Sequence, residues 1–318
     1  MNNPHDRFFK ETMTRRENAI SFFREYLPAH IVSQMDWRTL RIVKETFVTP
    51  ELKECFSDIV YEIRVRGMAV LIYLLFEHQS RHDCLMPLRF HHYMGGVWDL
   101  WVKQNPGECK LPAVIPILFY HGRENWTTGT QFQDMIEGSR LFAEYVPKFK
   151  YILKDLSAFT DADIKGIITV RLFVHVMRRI FQPDFGEHFD RMLPLFAELS
   201  QKQTGMEYLE TVLRYVYEVR DDIDPEDTET KLIQVMDEVR KEDIMTVAEK
   251  LRKEGEIRGE IRGEIRGEIR GEIRGKIETY KELLASGFLS KEMVEQKLAE
   301  LDQKLRELGG QGRTVTEH

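Results

Sequence analysis

Hydrophobic residues near the start of the chain recur at the spacing of an α-helix. They occur at every third or fourth position through residues 5–30, and Pro28 marks the end of the run. This spacing predicts an amphipathic helix. The period then changes to alternation. Two runs, Asp58–Val65 and Val70–Gln79, are rich in β-branched and aromatic residues, so they predict the two strands of a hairpin.

Beyond the hairpin the pattern returns to helical spacing. It predicts a helix over residues 84–104, and then a buried strand over Pro112–Tyr120 that is closed by His121 and Gly122. From about residue 130 to residue 250 the spacing is mostly helical, with interruptions at prolines. The chain is therefore predicted to combine strands with helices in its first half and to be mainly helical in its second.

The candidate chemistry lies on the predicted hairpin. If Gly67 and Met68 form a two-residue type II′ turn, with glycine at the position that needs a positive φ, then Asp58 lies directly opposite Glu77. Facing carboxylates repel each other unless a positive group lies between them. Mg²⁺ is commonly held by one or two carboxylates, and such an ion promotes hydrolysis of a phosphodiester. The pattern also fits two solvated acids, and a change of one residue in the turn would alter the register.

Alternation of side chains divides the predicted hairpin into two faces. One face is almost wholly apolar and is predicted to be the core side. The other face is the candidate active face, and its members are Asp58, Val60, Glu62, Arg64, Tyr73, Leu75, Glu77 and Gln79. Of these, Glu62 is expected to be a solvated charge and not a site residue.

Charge and composition restrict the class of protein only slightly. The formal net charge of the 318 residues is −7, and the acidic excess lies in the second half of the chain. A nuclease needs only local positive potential, so this charge neither supports nor excludes one. The three cysteines show no metal-ligand spacing. The N-terminus has no signal-peptide pattern, and no apolar run approaches the ~20 residues that span a bilayer. We expect a soluble cytoplasmic protein that does not enter a membrane.

The tail contains a tetrapeptide repeat, Gly-Glu-Ile-Arg, which begins at residue 255 and occurs five times. In a helix its like charges fall four residues apart, and each glycine costs roughly 1 kcal/mol relative to alanine. Each column of equivalent residues drifts about 40° per repeat, which favours right-handed supercoiling. Packing against a second chain would stabilise such a helix. The tail is therefore predicted either to self-associate, as a dimer, or to form a flexible charged linker.

Several short motifs, taken in order, resemble one protein family. They are His5-Asp6-Arg7-Phe8-Phe9-Lys10, Ser57-Asp58-Ile59-Val60-Tyr61, Glu77-His78-Gln79-Ser80, Pro87-Leu88-Arg89 and the strand from Leu111 to Gly122. Over roughly residues 4–200 the chain resembles the recombination-promoting nucleases, also called YhgA-like putative transposases. These belong to the PD-(D/E)XK nuclease superfamily. The resemblance implies an α/β core, in which helices flank a mixed sheet and the acids lie on a central hairpin.

The resemblance also implies a set of site residues. Asp58 and Glu77 correspond to the metal-binding acids of the superfamily, and Asp6 to a helix acid that some members add to the metal shell. Gln79 replaces the usual lysine; glutamine can orient water by hydrogen bonds but supplies no charge. Arg89 is a candidate for contact with phosphate or for stabilising charge in the transition state. The implied cofactor is Mg²⁺, with Mn²⁺ or Ca²⁺ as alternatives, and the implied partner is double-stranded DNA.

The resulting hypothesis is an endonuclease that makes DNA breaks and so promotes recombination. The alternatives are a weakly active or inactive DNA-binding adaptor and a purely structural interaction protein. Asp6 could equally be an N-cap or a first-turn charge that complements the helix dipole. His121 is predicted to make a structural hydrogen bond, and Trp126 is predicted to have a packing role. The predicted organisation is a nuclease domain over residues 1–200, a helical region over 201–254 and a repeat-bearing tail over 255–318.

Overall fold

A five-stranded mixed sheet forms the centre of the N-terminal part of the protein. The computed structural model describes residues 3–43, 57–77, 83–286, 288 and 290–310. The strands are Met35–Ile42 (β1), Ser57–Val65 (β2), Met68–Glu77 (β3), Ala113–Tyr120 (β4) and Ile152–Asp155 (β5). Their order across the sheet is the order along the chain. β1, β2 and β3 are antiparallel, whereas β3, β4 and β5 are parallel.

The turn between β2 and β3 differs from the predicted turn by one residue. Val65 pairs with Met68, so the two turn residues are Arg66 and Gly67, with φ angles of 50° and 82°. Two successive positive φ angles are typical of a type I′ turn, whose twist matches that of the strands. The prediction of a type II′ turn at Gly67 and Met68 was wrong because Arg66 adopts the left-handed conformation.

Helices cover both faces of the sheet. The helices of the N-terminal unit are Pro4–Met13 (α1), Arg16–Tyr26 (α2), Ala29–Val32 (α3), Met86–Gln104 (α4), Ile168–Arg179 (α5), Phe185–Arg191 (α6), Leu193–Ser200 (α7), Gly205–Val219 (α8) and Pro225–Val235 (α9). The single helix predicted over residues 5–30 is therefore interrupted between α1 and α2. The predicted α/β architecture, a mixed sheet flanked by helices, is confirmed.

The first face packs aromatic rings from α1, α2 and α5 against the sheet. The ring of Phe9 stacks on Phe76 at a centroid distance of 4.6 Å, and Phe173 stacks on Phe119 at 5.5 Å. The ring of Phe23 meets Tyr61 edge-on at 5.0 Å. Burial of these large rings stabilises the packing of the helices on this side of the sheet.

The second face is also buried, because α4 lies across it. Tyr73 of β3 stacks on Tyr93 of α4 at 5.3 Å. The same cluster includes Val60, Leu71, Leu75, Met86, Phe90, Val97, Leu118 and Tyr120. Both faces of the hairpin therefore contribute to the core. The prediction of a single core face was incomplete, because the second face is buried under α4.

The chain forms two compact units, Met1–Lys241 and Glu242–His318. Helix α8 begins after the predicted domain boundary at residue 200, yet it packs on α1 through a hydrogen bond between Tyr208 and Thr12. The remaining helices are Glu238–Ala285 (α10) and Lys291–Gly310 (α11). No helix among the described residues is long and apolar enough to cross a membrane.

Candidate functional site

The two predicted metal-binding acids occupy backbone positions at the same end of the β2–β3 hairpin. Asp58 pairs with Leu75 and not with Glu77. Glu77 lies two residues further along β3, where it pairs with Tyr120 of β4. The prediction that the two acids lie directly opposite each other was wrong because the turn is shifted. Positions offset by two residues are diagonal neighbours, about 7–8 Å apart in an antiparallel pair. Gln79 lies outside the described residues.

The first turn of α1 lies at this end of the sheet. Asn3 caps the helix, and its side chain accepts a hydrogen bond of 2.9 Å from the backbone N–H of His5. The His5 ring meets the His121 ring edge-on at 5.3 Å. Because His121 directly follows Tyr120, the β4 partner of Glu77, this turn approaches the position of Glu77. Asp6, in the same turn, is therefore at the predicted end of the sheet.

Helix α8 holds the N-terminus of α1 in this place. The hydroxyl of Tyr215 and Nδ1 of His5 are 2.7 Å apart, within a hydrogen bond. The guanidinium group of Arg7 forms an ion pair with Glu218, which is mostly buried. Burial raises the pKa of the Tyr215 hydroxyl well above its ordinary value, so it stays a neutral hydrogen-bonding group.

The His121-Gly122 pair, which directly follows β4, packs against aromatic rings. The His121 ring is 1 % exposed and stacks on Phe181 at 4.7 Å and on Phe76 at 5.9 Å. A Cβ atom on Gly122 would overlap the buried ring of Tyr120. Glycine at position 122 therefore allows the chain to fold back over Tyr120 at the end of β4.

Arg89 lies on the second turn of α4, with a side chain that is 17 % exposed. Its Nη1 donates a 2.8 Å hydrogen bond to Oδ2 of Asp83, just before the helix, and its Nε lies 3.4 Å from the Tyr93 hydroxyl. Asp83 in turn accepts a hydrogen bond from the backbone N–H of Leu85. Arg89 is thus a partly buried cation that an acidic neighbour orients, which is compatible with contact to a phosphate group.

Asp83 and the polar groups behind it were not predicted from the sequence. The hydroxyl of Thr128 donates to the backbone oxygen of Asp83 at 3.1 Å, and the indole N–H of Trp126 donates to the hydroxyl of Tyr151 at 3.0 Å. Burial raises the pKa of Tyr151 to about 12, although its hydrogen bond to Trp126 opposes the rise. An Asp shortly before the proline of α4 was the one available signal, because acids and proline favour a helix start.

The surroundings of Glu62 differ from those predicted. Glu62 is 7 % exposed, and it pairs with Arg41 at 2.8 Å. It is therefore a paired structural acid and not a solvated one. Among the side chains that the structure describes, no group of three or more His, Cys, Asp or Glu residues is arranged to hold a metal ion.

Comparison with known proteins identifies a protein family and several similar proteins. A family model described as "Putative transposase, YhgA-like" matches residues 3–207. The chain is 28 % identical over 260 residues to the recombination-promoting nuclease RpnA of Escherichia coli (strain K12), which covers 80 % of this chain and 85 % of the relative. It is 27 % identical over 256 residues to the recombination-promoting nuclease RpnD of Escherichia coli O157:H7, covering 79 % and 95 %.

A third relative has a different description. The chain is 28 % identical over 262 residues to the "Inactive recombination-promoting nuclease-like protein RpnE" of Escherichia coli (strain K12), which covers 79 % of this chain and 82 % of that protein. Both nucleases and a protein described as inactive are therefore similar to this chain at the same level of identity. No solved structure matches it.

Proposed function

Because the chain belongs to the family of YhgA-like putative transposases, we propose that it is a metal-dependent DNA endonuclease of the PD-(D/E)XK type, acting in the cytoplasm. Its breaks in double-stranded DNA would promote recombination, as the names of the relatives RpnA and RpnD suggest. The observation that carries the proposal is the register of the β2–β3 hairpin. It brings the positions of Asp58 and Glu77 to the same end of the sheet as α1.

The donor chemistry at this end fits Mg²⁺. Asp58, Glu77 and Asp6 offer carboxylate oxygens, which are the hard ligands that Mg²⁺ prefers over imidazole or thiolate. Bound there, Mg²⁺ would stabilise the negative charge that develops on a phosphodiester oxygen during hydrolysis. Mn²⁺ would suit the same oxygen donors, and Ca²⁺ is the larger alternative.

Other residues of the chain have supporting roles in this proposal. Arg89 binds a phosphate group of the substrate, and its ion pair with Asp83 fixes the direction of the guanidinium group. Gln79 orients water through its amide group, in place of the lysine that the superfamily uses. Asp6 and the backbone N–H groups in the first turn of α1 add further polar groups at this end of the sheet.

Nicking of supercoiled plasmid in the presence of Mg²⁺ tests the proposal. We expect wild-type protein to convert supercoiled DNA to the open-circular form, and chelation by EDTA to stop the reaction. Asp58→Ala and Glu77→Ala should each reduce the rate about 100-fold or more, a loss typical for removal of a group that stabilises the transition state. Asp36→Ala is the matched control, because Asp36 lies on the neighbouring β1 and pairs with the exposed Arg38.

The outcomes separate the proposal from its rival. Equal nicking by wild type, Asp58→Ala and Glu77→Ala would place the activity elsewhere. The rival is a DNA-binding adaptor without catalysis, which is favoured by the relative described as inactive and by glutamine at position 79. It predicts DNA binding without nicking in any metal. If the absence of the motif lysine is what limits catalysis, Gln79→Lys should raise the nicking rate.

We also propose that the tail joins two copies of the chain. The five repeats lie within the continuous helix α10. The isoleucines of the first four repeats are exposed, at 55 % for Ile257, 49 % for Ile261, 41 % for Ile265 and 38 % for Ile269, whereas Ile273 of the fifth repeat is buried. An apolar column on a helix flanked by Glu and Arg columns is suited to a second copy of itself. Light scattering at micromolar concentration should give a dimer mass, and Ile261→Asp with Ile265→Asp should give a monomer. A monomeric wild type would contradict this part.

A further inference from the structure

The segment between β4 and β5 forms a loop that is closed at its base. Gln131 and Lys150 form an antiparallel bridge, and the backbone N–H of Phe132 donates to the oxygen of Phe149 at 3.1 Å. The two phenylalanine rings stack at 5.0 Å, and His91 of α4 stacks on Phe132 at 4.9 Å. The base of this 131–150 loop is therefore fixed against α4.

The tip of the 131–150 loop exposes three large apolar side chains. Leu141 is 79 % exposed, Phe142 57 % and Tyr145 84 %. The backbone beneath them is ordered by turns, since the N–H groups of Leu141 and Phe142 donate to the oxygen of Gly138 at 2.9 and 3.0 Å. The N–H of Tyr145 donates to the oxygen of Phe142 at 2.9 Å. A hydrogen-bonded tip that presents apolar side chains to solvent is typical of a binding surface.

The same loop carries exposed cations. Arg140, Lys148 and Lys150 are exposed, and within the part of the chain that the structure describes their side chains make no hydrogen bond or ion pair. Three acids, Asp134, Glu137 and Glu144, match them in number. The loop has no net charge, so electrostatic attraction alone would not hold a polyanion there. A ligand of the loop needs flat apolar faces as well as negative charge.

The loop is attached to the same helix as Arg89. His91, which stacks on the loop base, is two residues from Arg89 along α4. Thr128, just before the loop, donates to the backbone oxygen of Asp83, the ion-pair partner of Arg89. The base of the loop therefore lies close to Arg89, the proposed phosphate ligand.

We propose that the tip of the 131–150 loop binds unpaired bases of DNA. Bases would stack on the rings of Phe142 and Tyr145 while Arg140, Lys148 and Lys150 contact the adjoining phosphates. Aromatic rings are sequence-tolerant platforms for bases, but in a duplex the base faces are already stacked. The surface therefore favours single strands, gaps or frayed ends. This inference rests on the proposed function and narrows its substrate to DNA with an unpaired stretch.

Fluorescence anisotropy with full-length protein in EDTA tests this without cleavage. The probes are a labelled oligothymidine of about 20 nucleotides and a duplex of equal length. Phe142→Ala with Tyr145→Ala should weaken binding to the single strand about 10-fold or more, without changing the dependence of log Kd on log salt concentration. Val102→Ala with Leu111→Ala is the matched control, because both side chains are about half exposed and lie outside the loop.

The cation variants give the complementary result. Arg140→Ala with Lys148→Ala should lower the salt dependence by about 0.7 for each phosphate contact that is lost on a single strand. Circular dichroism should show intact folding in all variants, since the changed side chains are exposed.

Three results would overturn the inference. They are unchanged single-strand binding by Phe142→Ala with Tyr145→Ala, equal affinity of wild type for the two probes, and loss of a dimer in that variant without DNA, which would make a second copy the occupant. If one of these appears while Asp58→Ala still abolishes nicking, the proposed nuclease function stands and only this inference fails. If wild type binds no DNA, both fail.

Discussion

Two buried tyrosines of α8 anchor the two ends of α1. Removing their hydroxyl groups one at a time should affect the stability of the protein and its nicking rate to different degrees. Tyr215 bonds His5 at the N-terminal end, and Tyr208 bonds the hydroxyl of Thr12 near the C-terminal end at 2.8 Å. Phenylalanine keeps each ring in place, including the stacking of residue 215 on Phe8 at 4.3 Å. Each substitution therefore removes one hydrogen bond and little packing.

The two changes should differ in their effect on unfolding. A neutral hydrogen bond contributes about 1 kcal/mol net, whereas a buried polar group left without its partner costs about 1–3 kcal/mol. Thr12 is completely buried, whereas His5 is partly exposed and can bind water instead. We expect Tyr208→Phe to lower the free energy of unfolding by about 2 kcal/mol and Tyr215→Phe by about 1 kcal/mol, measured by urea denaturation at neutral pH.

Their effect on nicking should have the opposite order. His5 and Asp6 share the turn of α1 that lies at the end of the sheet, so loss of the Tyr215 hydroxyl loosens the proposed metal ligand. We expect about a 10-fold loss of nicking rate for Tyr215→Phe, since small displacements of catalytic groups are costly. Tyr208→Phe, the less stable protein, should nick nearly as wild type does. Equal nicking by both variants would refute the placement of Asp6 in the site.

Three further predictions concern stability. Gly122→Ala should cost about 1–3 kcal/mol in urea denaturation, because its Cβ overlaps the buried Tyr120 ring; Gly95→Ala, where a Cβ finds open space, is the control and should not destabilise. Gly263→Ala should raise the stability of α10 by about 1 kcal/mol, because a Cβ there also meets nothing within 4 Å. A thermal melt followed by circular dichroism measures this change. A decrease in stability would indicate that this glycine packs on another copy of the chain. Burial raises the pKa of Tyr61 and of four other tyrosines in the folded state, so the unfolded chain ionises first, near pH 10. The free energy of unfolding should therefore be constant below that pH and fall above it. The fall should be less steep in Tyr61→Phe. A urea midpoint that does not change up to about pH 11 would contradict this prediction.

Local patterns predicted β2, β3 and β4 but not the register of the β2–β3 hairpin. Alternation located β2 and β3 within a few residues, because side-chain direction follows the period of a strand. The register depended on the turn, where an arginine adopts a positive φ that its residue type does not favour. That one-residue difference moved Glu77 from the position opposite Asp58 to a diagonal one. The strand β5 was missed because it has only four residues in a region of helical spacing.

The candidate site was predictable where a motif carried it and not where packing made it. Asp6, Asp58, Glu77 and Arg89 were found from motifs in order, and their roles remain proposals. Asp83 could not be found in this way, because its contact with Arg89 depends on how the start of α4 folds back. Glu62 was misjudged for a similar reason: its partner Arg41 comes from β1, a strand that pairs with β2.

The number of repeats in α10 determines the length of this part of the helix. A helix rises 1.5 Å and turns 100° per residue, so each Gly-Glu-Ile-Arg unit adds about 6 Å and rotates everything after it by about 40°. Gain or loss of one unit leaves the sequence neighbours of the side chains in the remaining units unchanged. Such a segment can therefore change its reach in fixed steps without any redesign of its sequence. Five units span about 30 Å, and a chain with four or six would present the residues beyond the repeats at a new distance and a new angle.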